Sequence, residues 1–423
     1  MAPIRVLIVD DSAFMRHALG RLLNETPDIE VVGGASNGEE GLAFARDLRP
    51  DVMTLDVEMP VLDGLGMLKR LMLETPTRVV MLSSRTTANA KITLDALEFG
   101  AIDFVSKPSG SLSIDIGRVG DELVSKVRAA AGMSEAAFLR HRQVAAMNVT
   151  LADSAAAKAA AAKEATAAAA AARADSAATR FGVVDATRRL GALTYTAPAS
   201  RPPRTGPRIA AARLVVVASS TGGPSALHTF AKGLPAHLGA AMAMVQHMPP
   251  GFTASLAARL DFAGQLRCSE ATSEDVLVED EILVAPGDRH MICSPSGHIQ
   301  LVHLPPVNGV RPAADVTLQA VAPIWRERLL CVVLTGMGVD GREGCRAVKQ
   351  HGGTVISQDA ATATIYGMPA AVAEAGLTDL VLPLHKIAAA VASWCLSDSL
   401  DGAEPAASAE QTARPGDRRD IAS

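Results

Sequence analysis

The sequence predicts an α/β protein: an N-terminal doubly wound, five-stranded parallel sheet, a long Ala-rich linker, and a C-terminal α/β unit with a mostly parallel sheet. Three observations carry that expectation. Short β-branched runs alternate with helix-period segments from residue 5 to about residue 130. The composition then turns to alanine, which fills 18 of the 30 positions from 151 to 180. A second alternation of strand and helix patterns follows, and a chain of 423 residues is too long for one ordinary core.

The expected strands of the first unit are 6–9, 29–33, 51–55, 78–82 and 102–105. Between them Phe14, Met15, Ala18, Leu19, Leu22 and Leu23 recur with helical period, as do Leu65, Leu68, Leu71 and Met72. Five such βα units wind right-handed into a parallel sheet, giving a domain over residues 3–130. Residues 131–207 read as the linker, because alanine favours helix yet buries little surface, and Arg201-Pro202-Pro203-Arg204-Thr205-Gly206-Pro207 breaks any helix. As coil, a tether of roughly 75 residues reaches about 50 Å. A tether some fivefold longer than a short connection lowers the effective concentration of one domain beside the other by about tenfold. The second domain spans 208–397, with expected strands 214–218, 240–246, 281–285, 299–303, 329–334 and 354–356. Residues 398–423 are polar and charged and read as a disordered tail.

The net charge of −5 offers no cationic face for nucleic acid or an anionic membrane. Five cysteines, all in the second half, lack metal-ligand spacing and fit reduced thiols in a cytoplasm. The apolar start runs straight into Asp10-Asp11 and reads as a strand rather than a leader, and no segment is apolar enough to insert in a membrane. A soluble cytoplasmic protein is expected.

In open parallel sheets, functional groups collect beyond the carboxyl ends of the strands. Asp10 and Asp11 follow the first strand, Asp56 the third, Ser83 the fourth and Lys107 the fifth. Each aspartate alone could be a helix N-cap. Together on one rim, three carboxylates call for a hard divalent cation, with Asp56 as the phosphoryl acceptor and Lys107 neutralising charge on the transferring group.

The second unit repeats the logic with different residues. A buried strand breaks into Ser219-Ser220-Thr221-Gly222-Gly223-Pro224 before a helix, exposing a serine at the sheet edge beside helix-start amides that can stabilise an oxyanion. His247 leaves the strand 240–246 and Asp340 follows the strand 329–334. Such placement suits a nucleophile, its base and an orienting carboxylate. The bland alternatives are a helix cap or phosphate-binding turn for the serine and a turn role for Asp340, and His290 in Pro286-Gly287-Asp288-Arg289-His290 competes with His247.

Asp10-Asp11, Asp56, Ser83-Ser84, Phe104 and Lys107-Pro108 resemble the response-regulator receiver family. That resemblance implies phosphorylation of Asp56 by a chemotaxis histidine kinase. It implies Mg²⁺ held by Asp11, Asp56 and the Glu58 backbone carbonyl, with Asp10 assisting through water, and a switch formed by Ser83, Phe104 and Lys107. The stretches 220–224, 246–252, 285–291, 334–341 and 366–369 are similar to the chemotaxis-specific protein-glutamate methylesterase family. This second resemblance implies Ser220 as nucleophile, His247 as general base and acid, Asp340 as orienter, and support from Thr221 and the Met337 amide, with no cofactor for ester hydrolysis. The implied activity is hydrolysis of γ-glutamyl methyl esters on the cytoplasmic helices of chemoreceptors, with deamidation of selected glutamines. In that family the unphosphorylated receiver covers the catalytic cleft. The chain departs from the pattern at Ser219 and at Ala313-Ala314, where Ser-Val is usual before Asp315. A non-catalytic, phosphorylation-gated receptor-binding module is the alternative of a different class, and a transcription regulator would need a helix-turn-helix pattern that is not found.

Overall fold

The computed structural model describes residues 2–84, 86–107, 114–178 and 209–397. Pro108, residues 179–207 of the expected linker and the expected tail at 398–423 lie outside these.

The first unit contains β1 (Ile4–Val9), α1 (Ala13–Asn24), β2 (Ile29–Ala35), α2 (Gly38–Leu48), β3 (Val52–Asp56), α3 (Gly64–Glu74), β4 (Arg78–Ser83), α4 (Thr87–Glu98), β5 (Asp103–Ser106) and α5 (Ile114–Ala131). Its sheet runs β2-β1-β3-β4-β5, parallel throughout. The strands read as continuous apolar runs because helices cover both faces. Val6, Leu7, Val9, Met53, Leu55, Val79 and Met81 are fully buried. Ser12, Asn37, Asp63 and Thr86 each cap a helix through the side chain, which sets where four of the strand-to-helix turns end.

The segment expected to be a linker begins instead with α6 (Glu135–Ala178). Its first turns are docked on the first unit: Ala137, Phe138, Ala145 and Val149 are buried, and the Asn148 amide donates to Glu98 O at 2.9 Å. His141 Nε2 bonds Gly100 O at 3.1 Å, and the Arg78 guanidinium lies 4.6 Å from the Phe138 ring. The coil estimate therefore does not hold for 135–178. A helical stripe at 138, 141, 145 and 149 anchors one end, and alanine propensity carries the helix on for a total of about 66 Å.

The second unit contains β6 (Leu214–Ser219), α7 (Gly223–Gly233), β7 (Ala241–Gln246), α8 (Phe252–Ala263), β8 (Arg267–Glu270), β9 (Glu281–Val284), β10 (His290–Cys293) and β11 (Ile299–Val302). It continues through α9 (Ala314–Trp325), β12 (Leu329–Val333), α10 (Arg342–Gln350), β13 (Thr354–Gln358), α11 (Met368–Glu374), β14 (Leu380–Leu382) and α12 (Leu384–Ser397). Seven strands in the order β14-β13-β12-β6-β7-β9-β8 pair in parallel. The strand expected at 299–303 instead pairs antiparallel with β10 as a separate two-stranded ribbon. Chain order reverses between β6 and β12, so the switch point of the sheet lies between them.

The two units share an apolar layer. Leu94 and Leu97 of α4 belong to the same buried cluster as Leu227 of α7 and Phe252 of α8. Phe104 stacks on Phe252 with centroids 4.5 Å apart, and Arg259 reaches Asp95 and, at 3.1 Å, Glu98.

Candidate functional site

On the first sheet, Asp10, Asp11 and Asp56 converge, with one carboxylate oxygen of each within 4.8 Å of the others. Lys107 Nζ lies 2.8 Å from Asp10 Oδ2 and 2.7 Å from Asp56 Oδ2. A Cβ on Gly64 would fall 1.9 Å from Asp56 O, so only glycine lets the following loop fold so closely back on the strand. Burial pushes the Asp56 carboxyl up to about 6, aided by the Asp10 charge and opposed by Lys107 and the Glu58 backbone N–H. Three carboxylates facing one ammonium carry excess negative charge, and this oxygen-only set fits a hard divalent cation such as Mg²⁺.

The expected switch residues divide between two places. Ser83 is buried at the end of β4, where its hydroxyl accepts from Thr93 Oγ1 at 2.7 Å. Phe104 lies instead at the contact with the second unit, against Phe252.

On the second sheet, Ser219 pairs with Gln246, so Ser220 and His247 leave adjacent parallel strands side by side, about 4.8 Å apart in the ladder direction. Ser220 is fixed from both flanks. Its N–H donates to Thr335 O at 3.0 Å, and its carbonyl accepts from Gln246 Nε2 at 3.0 Å. A Cβ on Gly336 would meet Ser220 Cβ at 2.8 Å, which is how closely the loop after β12 packs on the serine. Gly222, with φ of +76°, makes the sharp turn into α7.

His247 Nε2 bonds Asp340 Oδ2 at 2.7 Å, with both side chains nearly sealed from solvent. The ionised carboxylate can only accept, so Nε2 carries the proton and Nδ1 is left as the basic nitrogen. Asp340 also accepts from the N–H groups of Ala314 (2.6 Å) and Asp315 (3.0 Å). Although burial opposes its charge, the His247 contact and these two N–H groups hold its pKa below the usual carboxylate value. Among the described residues the Ser220 hydroxyl has no hydrogen-bond partner; serine-to-imidazole bonds are often long before substrate binds.

The competing His290 is buried and fully used elsewhere. Its Nδ1 accepts from Ala313 N at 3.1 Å, and its Nε2 donates to Pro305 O at 3.1 Å. Both nitrogens are thereby committed to holding the loop before α9.

Residues of the first unit touch both flanks of Ser220. Thr221 Oγ1 donates to Asp103 Oδ2, and Ser125 Oγ lies 3.5 Å from Met337 Sδ. Lys126 Nζ, 3.3 Å from Asp103 Oδ1, holds that carboxylate in place. Sequence reasoning missed Asp103, Gln246 and Asp315. Gln246 carried a signal, since it is a polar residue ending an apolar strand immediately before His247.

The CheB methylesterase family model matches residues 215–391, and the response regulator receiver domain model matches residues 6–114. A protein-glutamate methylesterase/protein-glutamine glutaminase of Symbiobacterium thermophilum is 45% identical over 393 residues, covering 92% of this chain and 96% of that one. The Thermotoga maritima protein of the same description is 38% identical over 387 residues, covering 91% and 96%. The crystal structure of the Thermotoga maritima CheB methylesterase catalytic domain is 42% identical, covers 43% of this chain and 97% of that one, and superposes with a TM-score of 0.42.

Proposed function

This chain belongs to the CheB methylesterase family, with a response-regulator receiver domain ahead of the catalytic domain, and from that membership we propose that it is a phosphorylation-gated hydrolase of γ-glutamyl methyl esters on chemoreceptor helices, deamidating selected receptor glutamines as well. The observation that carries the reading is the His247–Asp340 bond at the switch point of the sheet, one strand away from Ser220.

In the proposed reaction the Ser220 hydroxyl attacks the side-chain carbonyl carbon and its proton passes to His247 Nδ1. The tetrahedral oxyanion is stabilised by the backbone amides of Thr221, in the turn before α7, and of Met337. His247 then returns the proton to the leaving oxygen, methanol departs, and a water activated by the same nitrogen cleaves the acyl-enzyme to the glutamate and free serine. For a glutamine the leaving group is ammonia. Asp340 stays ionised and stabilises the imidazolium that forms in each half.

Control comes from the receiver. Asp11, Asp56 and the Glu58 carbonyl, with Asp10 alongside, would hold Mg²⁺, whose charge supports phosphoryl transfer. Asp56 accepts the phosphoryl group from a chemotaxis histidine kinase, and Lys107 neutralises its charge. The docked receiver lies on Thr221 and Met337, so it blocks a receptor helix from Ser220; phosphoryl charge at Asp56 acts on the Ser83 and Phe104 surroundings and releases it. Both substrates and the kinase meet the protein in the cytoplasm. Ser220→Ala should abolish methanol release from a methylated receptor fragment while leaving phosphorylation of Asp56 intact; undiminished release would remove the serine from this role, and no release by the phosphorylated wild type would favour the non-catalytic binding module.

A further inference from the structure

Asp340 and Asp315 each sit at the start of the helix that follows the other. The N-cap of helix α9 is Ala313, which has no side chain able to cap it, and the N–H groups of the helix's first two residues, Ala314 and Asp315, bond the Asp340 carboxylate instead. The N-cap of helix α10 is Gly341, also without a capping side chain, and there Asp315 Oδ1 accepts from Gly341 N at 2.9 Å and Gly344 N at 2.7 Å. The missing caps are thus supplied reciprocally. A Cβ on Gly344 would stand 2.7 Å from Leu318 Cβ and 3.2 Å from Asp315 Cα, so glycine is what lets the two helix starts meet. Asp315 is 3% exposed, and Asn308 Nδ2 donates to its other oxygen at 3.1 Å.

We propose that Asp315 is a positioning residue for ester hydrolysis: it fixes the loop carrying Asp340 by capping α10, while its own amide fixes the Asp340 carboxylate, so that the orientation of His247 rests on both aspartates. This rests on the Ser220–His247–Asp340 reading above. Loss of the Asp315 carboxylate frees the Gly341 and Gly344 amides, and Asp340 shifts with the turn it belongs to. Misplacement by about 1 Å costs up to about 100-fold in rate.

The charged and titratable groups around Asp315 are Asp340, with His247 beyond it, and the Cys345 thiol of α10, itself 3.5 Å from Cys331 of β12. Burial and the Asp340 charge push Asp315 up to about 6, against the two N–H bonds and Asn308 that favour its ionised form. Charge at this position therefore weighs on the same pair that sets the imidazole.

The test uses the full chain activated with acetyl phosphate and a methylated receptor fragment. Asp315→Asn keeps the shape, and Asp315→Ala removes the acceptor altogether. The expected result is a kcat lowered about 10- to 100-fold by Asp315→Ala and less by Asp315→Asn, with KM unchanged. The acid limb of the kcat profile should move in Asp315→Asn, and the low-field NMR resonance of the proton between His247 Nε2 and Asp340 should shift or broaden. Wild-type kcat, acid limb and resonance in Asp315→Asn would overturn the proposal. So would a loss of rate that simply follows a fall in Tm, with the limb and resonance unmoved. Asp340→Asn is run in parallel: if it keeps full activity, the triad reading itself has failed and the role of Asp315 falls with it.

Discussion

Removing the Asp103 carboxylate should release the catalytic domain without any phosphate. In the docked arrangement Asp103 Oδ2 accepts from Thr221 Oγ1, next to the nucleophile, with both residues buried. A hydrogen bond to a charged group contributes about 1.5–3 kcal/mol net, and its loss shifts the docking equilibrium by about 10- to 150-fold. Lys126 keeps two other partners, Glu122 at 2.8 Å and Phe104 O at 2.5 Å, so the receiver core should survive the change. The assay is methanol release by full-length Asp103→Ala with no phosphodonor. Basal rate should rise by that factor, up to the ceiling the wild type reaches with acetyl phosphate, and the phosphodonor should then add little. Basal activity equal to wild type, in a variant with unchanged Tm, would refute the argument that this contact holds the receiver on the site.

Two further outcomes follow from the receiver. Chelation by EDTA should stop phosphorylation of Asp56 from acetyl phosphate, and Mg²⁺ should restore it, with basal methanol release unchanged throughout; retained phosphorylation in EDTA would argue against the acidic cluster as the metal site. Acid should loosen α6. Burial holds His141 below its usual 6.5 despite the Gly100 carbonyl, so the released ring takes a proton before the docked one does. Docking is therefore fully stable above about pH 6.5 and weakens as pH falls below it. Hydrogen exchange over 135–150, corrected for intrinsic rate, should be faster at pH 5.5 than at 7.5, and His141→Gln should flatten that difference.

Both sheets were legible in the sequence because a strand buried on both faces is an unbroken apolar run, as in Val215-Val216-Val217 or Val79-Val80-Met81. β8 (Arg-Cys-Ser-Glu), β10 and the three-residue β14 were not. They are short, lie at the sheet edge or in the ribbon, and carry too few residues to show a period. The docked end of α6 was hidden for another reason: its stripe of Phe138, His141, Ala145 and Val149 is small and mixed, and the alanine beyond it dominates the composition. The residues following strand ends were readable as a set because topology alone brings them to one rim. Asp315 was not, since it lies 25 residues before Asp340; the clue was the absence of a capping side chain at Ala313. Asp103 was beyond sequence reasoning, because its partner is 118 residues away on a different sheet.

Under the proposed function, the stacking of Phe104 on Phe252 and the grip of Asp103 on Thr221 put the regulator and an incoming receptor substrate in competition for one surface. Competition of this kind obeys mass action. A dense array of methylated receptors draws the open form out of the equilibrium at the expense of the closed one, as any ligand selective for one state must. By reciprocity, whatever favours the phosphorylated, open form raises apparent affinity for receptor by the same factor. Crowding of substrate thus acts as a second input to the enzyme, additive with the kinase signal in free energy.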